Sequence, residues 1–205
     1  MNKKTMVVFA GPNGSGKSTI VKNMLASGQC PENYICPDNL VASENKENLK
    51  AYQAAMQKAE ALRQTELALG NSFSFETVLS MPDKLEFIRW ARWQGYTVHV
   101  VYVTTDDPRI NVKRVKLRVS QGGHDVPEGK IISRYERSMN LMFDVTREAD
   151  TVDFYDNSAD VPRFVAAKIG GTICTAPDPP AWLETHVLAK AREFGIPVFP
   201  ISSAG

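Results

Sequence analysis

The stretch VVFAGPNGSGKSTIV, residues 7–21, joins an apolar run to a cluster of small residues and then to a helical pattern. Residues 11–18 match the pattern G-x-x-x-x-G-K-[ST], and they lie between a predicted strand and a predicted helix, as that motif requires. Small residues allow backbone N–H groups to turn inward around phosphate oxygens, and the helix N-terminus adds its dipole. The stretch therefore predicts a phosphate-binding loop rather than an ordinary strand–turn–helix connection.

This loop predicts a nucleoside triphosphate ligand, with ATP and Mg²⁺ as the expected cofactors. The residues expected to hold the nucleotide are Gly11, Asn13, Gly14, Ser15, Gly16, Lys17, Ser18 and Thr19. We expect the Lys17 ammonium to reach the β- and γ-phosphates and the Ser18 hydroxyl to bind Mg²⁺. The loop alone does not indicate whether the phosphate is transferred or only sensed.

The composition is typical of one soluble globular domain, residues 1–205. Of the 205 residues, 43% are hydrophobic and 23% are charged. The net charge of +1 favours neither nucleic acid nor a membrane surface as a partner. The first apolar stretch, residues 6–10, is too short for a signal peptide or a spanning helix. The three cysteines show no C-x-x-C spacing, which indicates reduced thiols and a cytoplasmic location.

Predicted strands and helices alternate along the chain. Strands are expected at residues 6–10, 34–37, 73–78, 97–103 and 151–157, with a strand pair or loop at 161–173. Helices are expected at residues 17–27, 39–69, 82–94, from 107 onward, 128–148 and 182–194. The alternation predicts an α/β fold, a three-layer P-loop NTPase of the nucleoside-kinase type with a mainly parallel sheet. Residues 196–205 are predicted to form a loose tail.

Three classes of protein share such a loop. A GTPase switch needs a base-reading N-K-x-D string, and the nearest match, NKEN at residues 45–48, lacks the final Asp. An ATPase motor usually has an apolar strand that ends in adjacent acidic residues, as Asp106 and Asp107 do. However, Pro108 follows at once, which favours Asp107 as a helix N-cap. A small-molecule kinase needs a proton acceptor and arginines that neutralise the transferred phosphoryl group.

A proton acceptor is available in YICPDNL, residues 34–40. Asp38 follows the second predicted strand, and ligands of open α/β sheets bind beyond the carboxyl ends of the strands. Asp38 is therefore a candidate base, although a turn aspartate or a helix N-cap is an equally good interpretation of the residues alone.

Arginines are concentrated in residues 109–138. Arg114 and Arg118 lie on one face of a predicted helix, Gly122-Gly123 interrupts it, and a second helix carries Arg134. This arrangement predicts a helical lid over the phosphates. A solvated basic face and a nucleic-acid patch are alternatives, but neither explains the glycine break.

Taken together, these stretches resemble the zeta-toxin family of P-loop kinases. The resemblance covers roughly residues 5–160 and lies in GPNGSGKST, ICPDNL, FSFETVLS, GYTVHVVYV and RVKLRVSQGGHDVPEGKIISRYERSMNL. It implies transfer of the ATP γ-phosphate to a hydroxyl of a UDP-activated amino sugar such as UDP-N-acetylglucosamine. It also implies a toxin with an antitoxin protein partner, although such toxins usually have more than ten residues before the loop. The alternative is a nucleotide-dependent switch or ATPase with a protein partner and no sugar acceptor.

The resemblance also implies roles for the residues that bind the nucleotide. Lys17 and Ser18 hold the triphosphate and Mg²⁺. Arg118 and Arg134 hold the phosphates during transfer and complete the catalytic set with Lys17, and Arg114 lies near the adenine.

On the acceptor side, the resemblance makes Asp38 the catalytic base. Glu76, in FET, binds the acceptor together with Thr77, whereas its strand position alone would indicate only an edge carboxylate. His124 is expected to order its loop by a hydrogen bond. Asn157 either touches adenine or is a turn asparagine.

Overall fold

The computed structural model describes residues 4–41 and 49–201 of the chain, and within them eight strands form one sheet. The strands are β1 (Thr5–Ala10), β2 (Tyr34–Ile35), β3 (Phe73–Thr77), β4 (Thr97–Thr104), β5 (Thr151–Asp156), β6 (Arg163–Ile169), β7 (Thr172–Thr175) and β8 (Val198–Pro200). Their order across the sheet is β2-β3-β1-β4-β5-β6-β7-β8. The NKEN string at residues 45–48 and part of the helix predicted over 39–69 lie outside the described residues.

Six helices and one 3₁₀ turn connect these strands in the described part of the chain. They are α1 (Lys17–Ala26), the turn Pro37–Asn39, α2 (Leu49–Leu69), α3 (Asp83–Trp93), α4 (Pro108–Ser120), α5 (Glu128–Glu148) and α6, in which the π-helical turn Glu184–Leu188 joins Ala181–Leu183 to Ala189–Glu193. None of the helices in the described ranges is long and apolar enough to cross a membrane.

Strand β1 lies at the centre of the parallel part of the sheet. It pairs with β3 on one side and β4 on the other, both in parallel. Its sequence TMVVFA is almost entirely apolar because both faces are covered, which is typical of a parallel sheet between two layers of helices. The strand order reverses here, so the carboxyl end of β1 is a topological switch point, where ligands of such sheets bind.

Helices cover both faces of the sheet, as the predicted three-layer fold requires. On one face, α1 packs Ile20, Val21 and Met24 against β1 and β4. On the other face, α2, α3, α5 and α6 contribute to the main apolar core. The prediction of an α/β P-loop fold with a mainly parallel sheet is therefore confirmed.

Helices α4 and α5 form a hairpin beside the carboxyl edge of the sheet. Asp107 caps α4, and its side chain accepts a hydrogen bond from the Arg109 N–H at 2.7 Å, which confirms the N-cap interpretation. The loop between the helices spans residues 121–127, and its Val126 packs with Val115 of α4 and Ile131 of α5. We call residues 121–127 the lid loop, after the role predicted for this region.

The prediction of a loose tail at residues 196–205 is wrong over Val198–Pro200. These residues form β8, which pairs in parallel with β7 and closes that side of the sheet. The Ile173 N–H donates to the Pro197 carbonyl at 2.9 Å, and the Ile201 N–H donates to the Thr175 carbonyl at 2.7 Å. The proline-rich local sequence indicates a loop, whereas pairing with a distant strand decides the structure. Residues 202–205 lie outside the described residues.

Candidate active site

The phosphate loop follows β1 and depends on glycine at positions where the backbone is left-handed. Gly14 has φ +75° and Gly16 has φ +92°, conformations that L side chains rarely adopt. A Cβ on Gly16 would lie 2.1 Å from Nδ2 of Asn157, and one on Gly14 would lie 2.6 Å from the Asn111 carbonyl oxygen. The loop can therefore fold in this way only because these positions carry no side chain.

Two buried asparagines brace the loop from neighbouring elements. Asn111 on α4 donates through Nδ2 to the Asn13 carbonyl at 2.7 Å. Asn157, directly after β5, donates through Nδ2 to the Ser15 carbonyl at 2.8 Å. This contact gives Asn157 a structural role in the loop. By donating to the Asn13 and Ser15 carbonyls, the two side chains hold these carbonyls pointing out of the loop. This orientation favours backbone N–H groups that point into the loop.

Lys17 lies at the mouth of the loop and is almost fully buried. Its Nζ donates to the carbonyls of Gly11 and Pro12 at 2.8 and 2.9 Å, and it lies 3.7 Å from Oε1 of Glu76. Burial lowers the pKa of Lys17, the Glu76 carboxylate opposes that shift, and the Arg118 guanidinium adds to it. Lys17, Glu76 and Arg118 therefore form one electrostatically coupled group.

Glu76, the second-last residue of β3, joins this group to Ser18. Its Oε2 accepts hydrogen bonds from the Tyr34 hydroxyl at 3.0 Å and from the Ser18 hydroxyl at 3.4 Å. Burial and then the Glu76 charge raise the pKa of Tyr34, so that this hydroxyl remains a donor. The Ser18 and Glu76 oxygens are hard ligands of the kind that Mg²⁺ prefers, together with phosphate and water. In the described ranges, no cluster of three or more His, Cys, Asp or Glu residues forms a fuller metal site.

Thr77 and Thr19 have less direct places at the site. The Thr77 carbonyl accepts from the Gly11 N–H at 3.2 Å, and its hydroxyl accepts from the Leu79 N–H at 3.0 Å. Thr77 thus joins β3 to the loop and shapes the turn that follows. Thr19 is exposed on the first turn of α1.

Asp38 lies within the 3₁₀ turn Pro37–Asn39, immediately after β2. Asp38 is therefore a turn residue, as one interpretation predicts, and it does not cap a helix that begins at Leu40, because Leu40 and Val41 are not helical. Asp38 lines a cavity of about 250 Å³. The other lining residues are Val41, Tyr52, Arg118, Gly123 and His124. The structure thus brings Asp38 and Arg118 together across one cavity, beside the coupled group of Lys17 and Glu76.

The three predicted arginines occupy different places. Arg118 lines the Asp38 cavity and donates through its NH2 nitrogen to the His124 carbonyl at 2.7 Å. Arg134, on α5, donates through NH1 to Oδ1 of Asn13 in the phosphate loop at 3.3 Å. Arg114 instead donates to the carbonyls of Asn157 and Ala159, which ties α4 to the segment after β5.

Two buried polar atoms at the site indicate whether it can bind a nucleoside triphosphate. In the described part of the chain, the Ser15 Oγ and the Arg118 Nε are buried and have no hydrogen-bond partner. Leaving such atoms unpaired costs about 1–3 kcal/mol each, and more for charged groups. Ser15 belongs to the phosphate loop, and Arg118 is close enough to Lys17 of that loop to act on its pKa, so both are placed for phosphate oxygens. The residues present therefore fit ATP.

Sequence reasoning missed Tyr34, Tyr52 and Asn111. Tyr34 and Tyr52 are single aromatic residues in unremarkable local patterns, and only the fold brings them to Glu76 and Asp38. Asn111 lies within the basic residues 109–138, whose arginines dominate any interpretation of that stretch. A polar residue on the buried face of an otherwise amphipathic helix was the available signal.

Comparison with known proteins adds to this geometry. The sequence model of the family described as Zeta toxin matches residues 1–165. The chain belongs to the zeta toxin family. Its relatives include an uncharacterised protein of Haemophilus influenzae, which is 29% identical over 130 residues, or 63% of this chain and 91% of that protein.

Solved structures share the fold of this zeta-toxin-family chain at low sequence identity. One comes from the PezAT chromosomal toxin–antitoxin system of Streptococcus pneumoniae, with TM-score 0.55, 16% identity, and coverage of 79% of this chain and 72% of that one. Another is from the AvrRxo1-ORF1:-ORF2 structure with ATP, with TM-score 0.65, 16% identity, and coverage of 84% and 60%. This chain therefore spans less than two thirds of the matched AvrRxo1 chain. At this identity the likeness establishes the kinase-like P-loop fold.

Proposed function

We propose that this protein is an ATP-dependent kinase that transfers the γ-phosphoryl group to a hydroxyl of a UDP-activated amino sugar, such as UDP-N-acetylglucosamine. The observation that supports it most directly is that Asp38 and Arg118 line one cavity and that Arg118 acts electrostatically on Lys17 of the phosphate loop. A carboxylate facing an arginine next to Lys17 is the arrangement that phosphoryl transfer to a hydroxyl needs. A switch or an ATPase would need no such carboxylate.

In this proposal, the protein's own groups position the reactants and stabilise charge. The Ser18 hydroxyl and the Glu76 carboxylate would hold Mg²⁺, which would neutralise charge on the phosphate oxygens of ATP, the phosphoryl donor. Lys17, Arg118 and Arg134 hold the phosphates and stabilise negative charge on the group in transfer. Asp38 accepts the proton of the acceptor hydroxyl as its oxygen bonds to the γ-phosphorus, and ADP leaves on the opposite side.

Glu76 and Thr77 complete the acceptor side of the proposal. One oxygen of the Glu76 carboxylate accepts hydrogen bonds from the Ser18 and Tyr34 hydroxyls, and a sugar hydroxyl can donate to the same carboxylate. Thr77 acts mainly by shaping the turn at the end of β3. Arg114 acts on the nucleotide side by holding the segment after β5. Both of its terminal nitrogens already donate to backbone carbonyls of that segment, so its role is to position the segment rather than to contact the nucleotide.

The test is incubation of the purified protein with ATP, Mg²⁺ and a panel of UDP-sugars, followed by mass spectrometry. We expect one sugar to gain a phosphate with the wild type and not with Asp38→Asn. Asp160→Asn is the matched control, because Asp160 is an exposed carboxylate in the segment after β5. ADP release without a phosphorylated sugar, equal in wild type and Asp38→Asn, would contradict the proposal and favour an ATPase or switch.

We further propose that this kinase activity harms the cell that makes it and that an antitoxin protein restrains it. Support comes from the family and from the PezAT toxin–antitoxin system that shares the fold. Induced expression of the wild type in a bacterial host should arrest growth, whereas Asp38→Asn at equal expression should not. Equal growth of both strains would remove the toxin role without touching the kinase assignment.

A further inference from the structure

The lid loop contacts helix α2 through two aromatic rings. The rings of Tyr52 and His124 are stacked, with centroids 4.2 Å apart and planes 10° apart. Both side chains are half-buried, and both line the cavity that contains Asp38. Neither belongs to the described apolar clusters of the core. Their contact therefore forms part of the cavity wall.

Tyr52 also lies beside Asp38. Both residues line the same cavity, and the Tyr52 hydroxyl is close enough to interact with the Asp38 carboxylate. Burial, followed by the Asp38 charge, raises the pKa of Tyr52, so this hydroxyl stays protonated and is able to donate to that carboxylate. One side chain thus stacks on the lid loop with its ring and places its hydroxyl beside Asp38.

His124 carries a second contact from the same loop. Its backbone carbonyl accepts the hydrogen bond from Arg118, while its ring lies on Tyr52. The lid loop therefore connects Arg118, on the nucleotide side, with Tyr52 and Asp38, on the acceptor side. A displacement of His124 would disturb both sides of the cavity at once.

We propose that Tyr52 and His124 form a clasp that fastens the lid loop to α2 and holds the Asp38 carboxylate toward the acceptor. Tyr52 is then a positioning residue, which acts through Asp38. The catalytic consequence rests on the proposed kinase function, whereas the clasp itself is a property of the fold. A lid that closes through this clasp completes the site only when both sides are in place.

Kinetics of two variants separate the hydroxyl from the ring. Tyr52→Phe keeps the stacking and loses the hydroxyl that, in this proposal, holds Asp38, so kcat should fall about tenfold while KM for ATP is unchanged. Tyr52→Leu loses both contacts, so kcat should fall further and KM for the acceptor should rise. Tyr155→Phe is the control, because it removes a tyrosine hydroxyl on the α1 side of the sheet. A Tyr52→Phe enzyme with wild-type kcat would overturn the positioning role.

Proton NMR of the histidine rings tests the clasp without any acceptor. The chain has three histidines, and His124→Gln identifies the His124 resonances. Tyr52→Leu should shift these resonances because the ring current of Tyr52 is lost, whereas Tyr52→Phe should leave them near their wild-type positions. Unchanged His124 resonances in Tyr52→Leu would overturn the clasp. If the wild type phosphorylates no acceptor, the kinase proposal fails and the NMR result still decides the clasp.

Discussion

At the scale of single residues, the site depends on a buried lysine whose protonated form is stabilised by one carboxylate. Lys17 has only a small exposed fraction, 5%, and burial alone favours its neutral form. Glu76 lies 3.7 Å away and opposes this effect. Since only the ammonium form can bind phosphate oxygens as a cation, Glu76 supports nucleotide binding through Lys17 as well as through Ser18.

The first prediction concerns the pH dependence of Glu76→Gln. Activity needs protonated Lys17, so it is lost as pH rises through the pKa of Lys17, which burial has already lowered. Removing the Glu76 charge lowers that pKa further, and the alkaline limb of the kcat/KM profile should therefore move to lower pH. Glu193→Gln, at an exposed site on α6, should leave the limb in place. A shift of the limb to higher pH in Glu76→Gln would contradict the argument.

At the scale of elements, the phosphate loop is held by its neighbours as much as by its own glycines. Asn111 reaches it from α4 and Asn157 from the end of β5. Arg114 in turn holds the segment that contains Asn157. The loop conformation is therefore coupled to the position of α4, the first helix of the predicted lid.

The second prediction tests this coupling with Asn157→Ala. The substitution leaves the buried Ser15 carbonyl without its donor, so the loop should loosen and the Kd for ATP should rise about tenfold. Titration calorimetry measures the change. Asn140→Ala, on the exposed face of α5, is the matched control. An ATP affinity within about twofold of wild type would show that the glycines alone maintain the loop.

The third prediction concerns the ion pairs between α2 and α3. Burial alone would raise the pKa of Glu60, but hydrogen bonds from Lys84 and Arg63 outweigh it and hold that pKa at about 2. A lowered carboxyl pKa stabilises the fold above the unfolded value of 4.5, and this contribution is lost as pH falls toward 2. Because the Glu60 side chain is 41% exposed, solvent screening limits the effect to about 1 kcal/mol.

We therefore expect Glu60→Gln to lower the free energy of unfolding by about 1 kcal/mol at neutral pH. The difference from wild type should shrink as pH falls from about 4.5, where the unfolded chain takes up the proton, to about 2, where the folded wild-type carboxylate does so as well. Urea unfolding across this range measures it, with Glu136→Gln on exposed α5 surface as the control. A difference that is constant with pH would assign the effect to packing.

The elements that could be predicted from the sequence are those decided locally. Residues 11–18 specify their own backbone through small residues, and Gly122-Gly123 ends α4 where the loop begins. The Asp38 cavity could not be derived in the same way, because Tyr52 and His124 are far apart in sequence and meet only after α2 and the hairpin pack. Local reasoning leaves Asp38 undecided between a base, a turn aspartate and an N-cap, and its assignment as a base stays a prediction that rests on the family resemblance.

At the scale of the whole molecule, the sheet changes character from one side to the other. From β2 to β5 every pairing is parallel, and the candidate site lies at the carboxyl ends of these strands. Beyond β5 the chain turns back through the antiparallel pairs β5–β6 and β6–β7, and β8 then adds in parallel. Strands β6 to β8 carry no residue predicted for the site. Strand β8 covers an edge of β7 that would otherwise be free to pair with another chain.

The last prediction tests whether β8 stabilises the molecule. Val198 packs against the main core, whereas the next residue, Phe199, is 56% exposed. Val198→Asp places a carboxylate against apolar groups and should lower the free energy of unfolding by about 2 kcal/mol, whereas Phe199→Asp should change it by less than about 0.5 kcal/mol. Urea unfolding of both variants measures the contrast. Equal changes in the free energy of unfolding would mean that only its backbone hydrogen bonds hold β8 in place. The apolar face of the strand would then contribute nothing to the stability of the sheet.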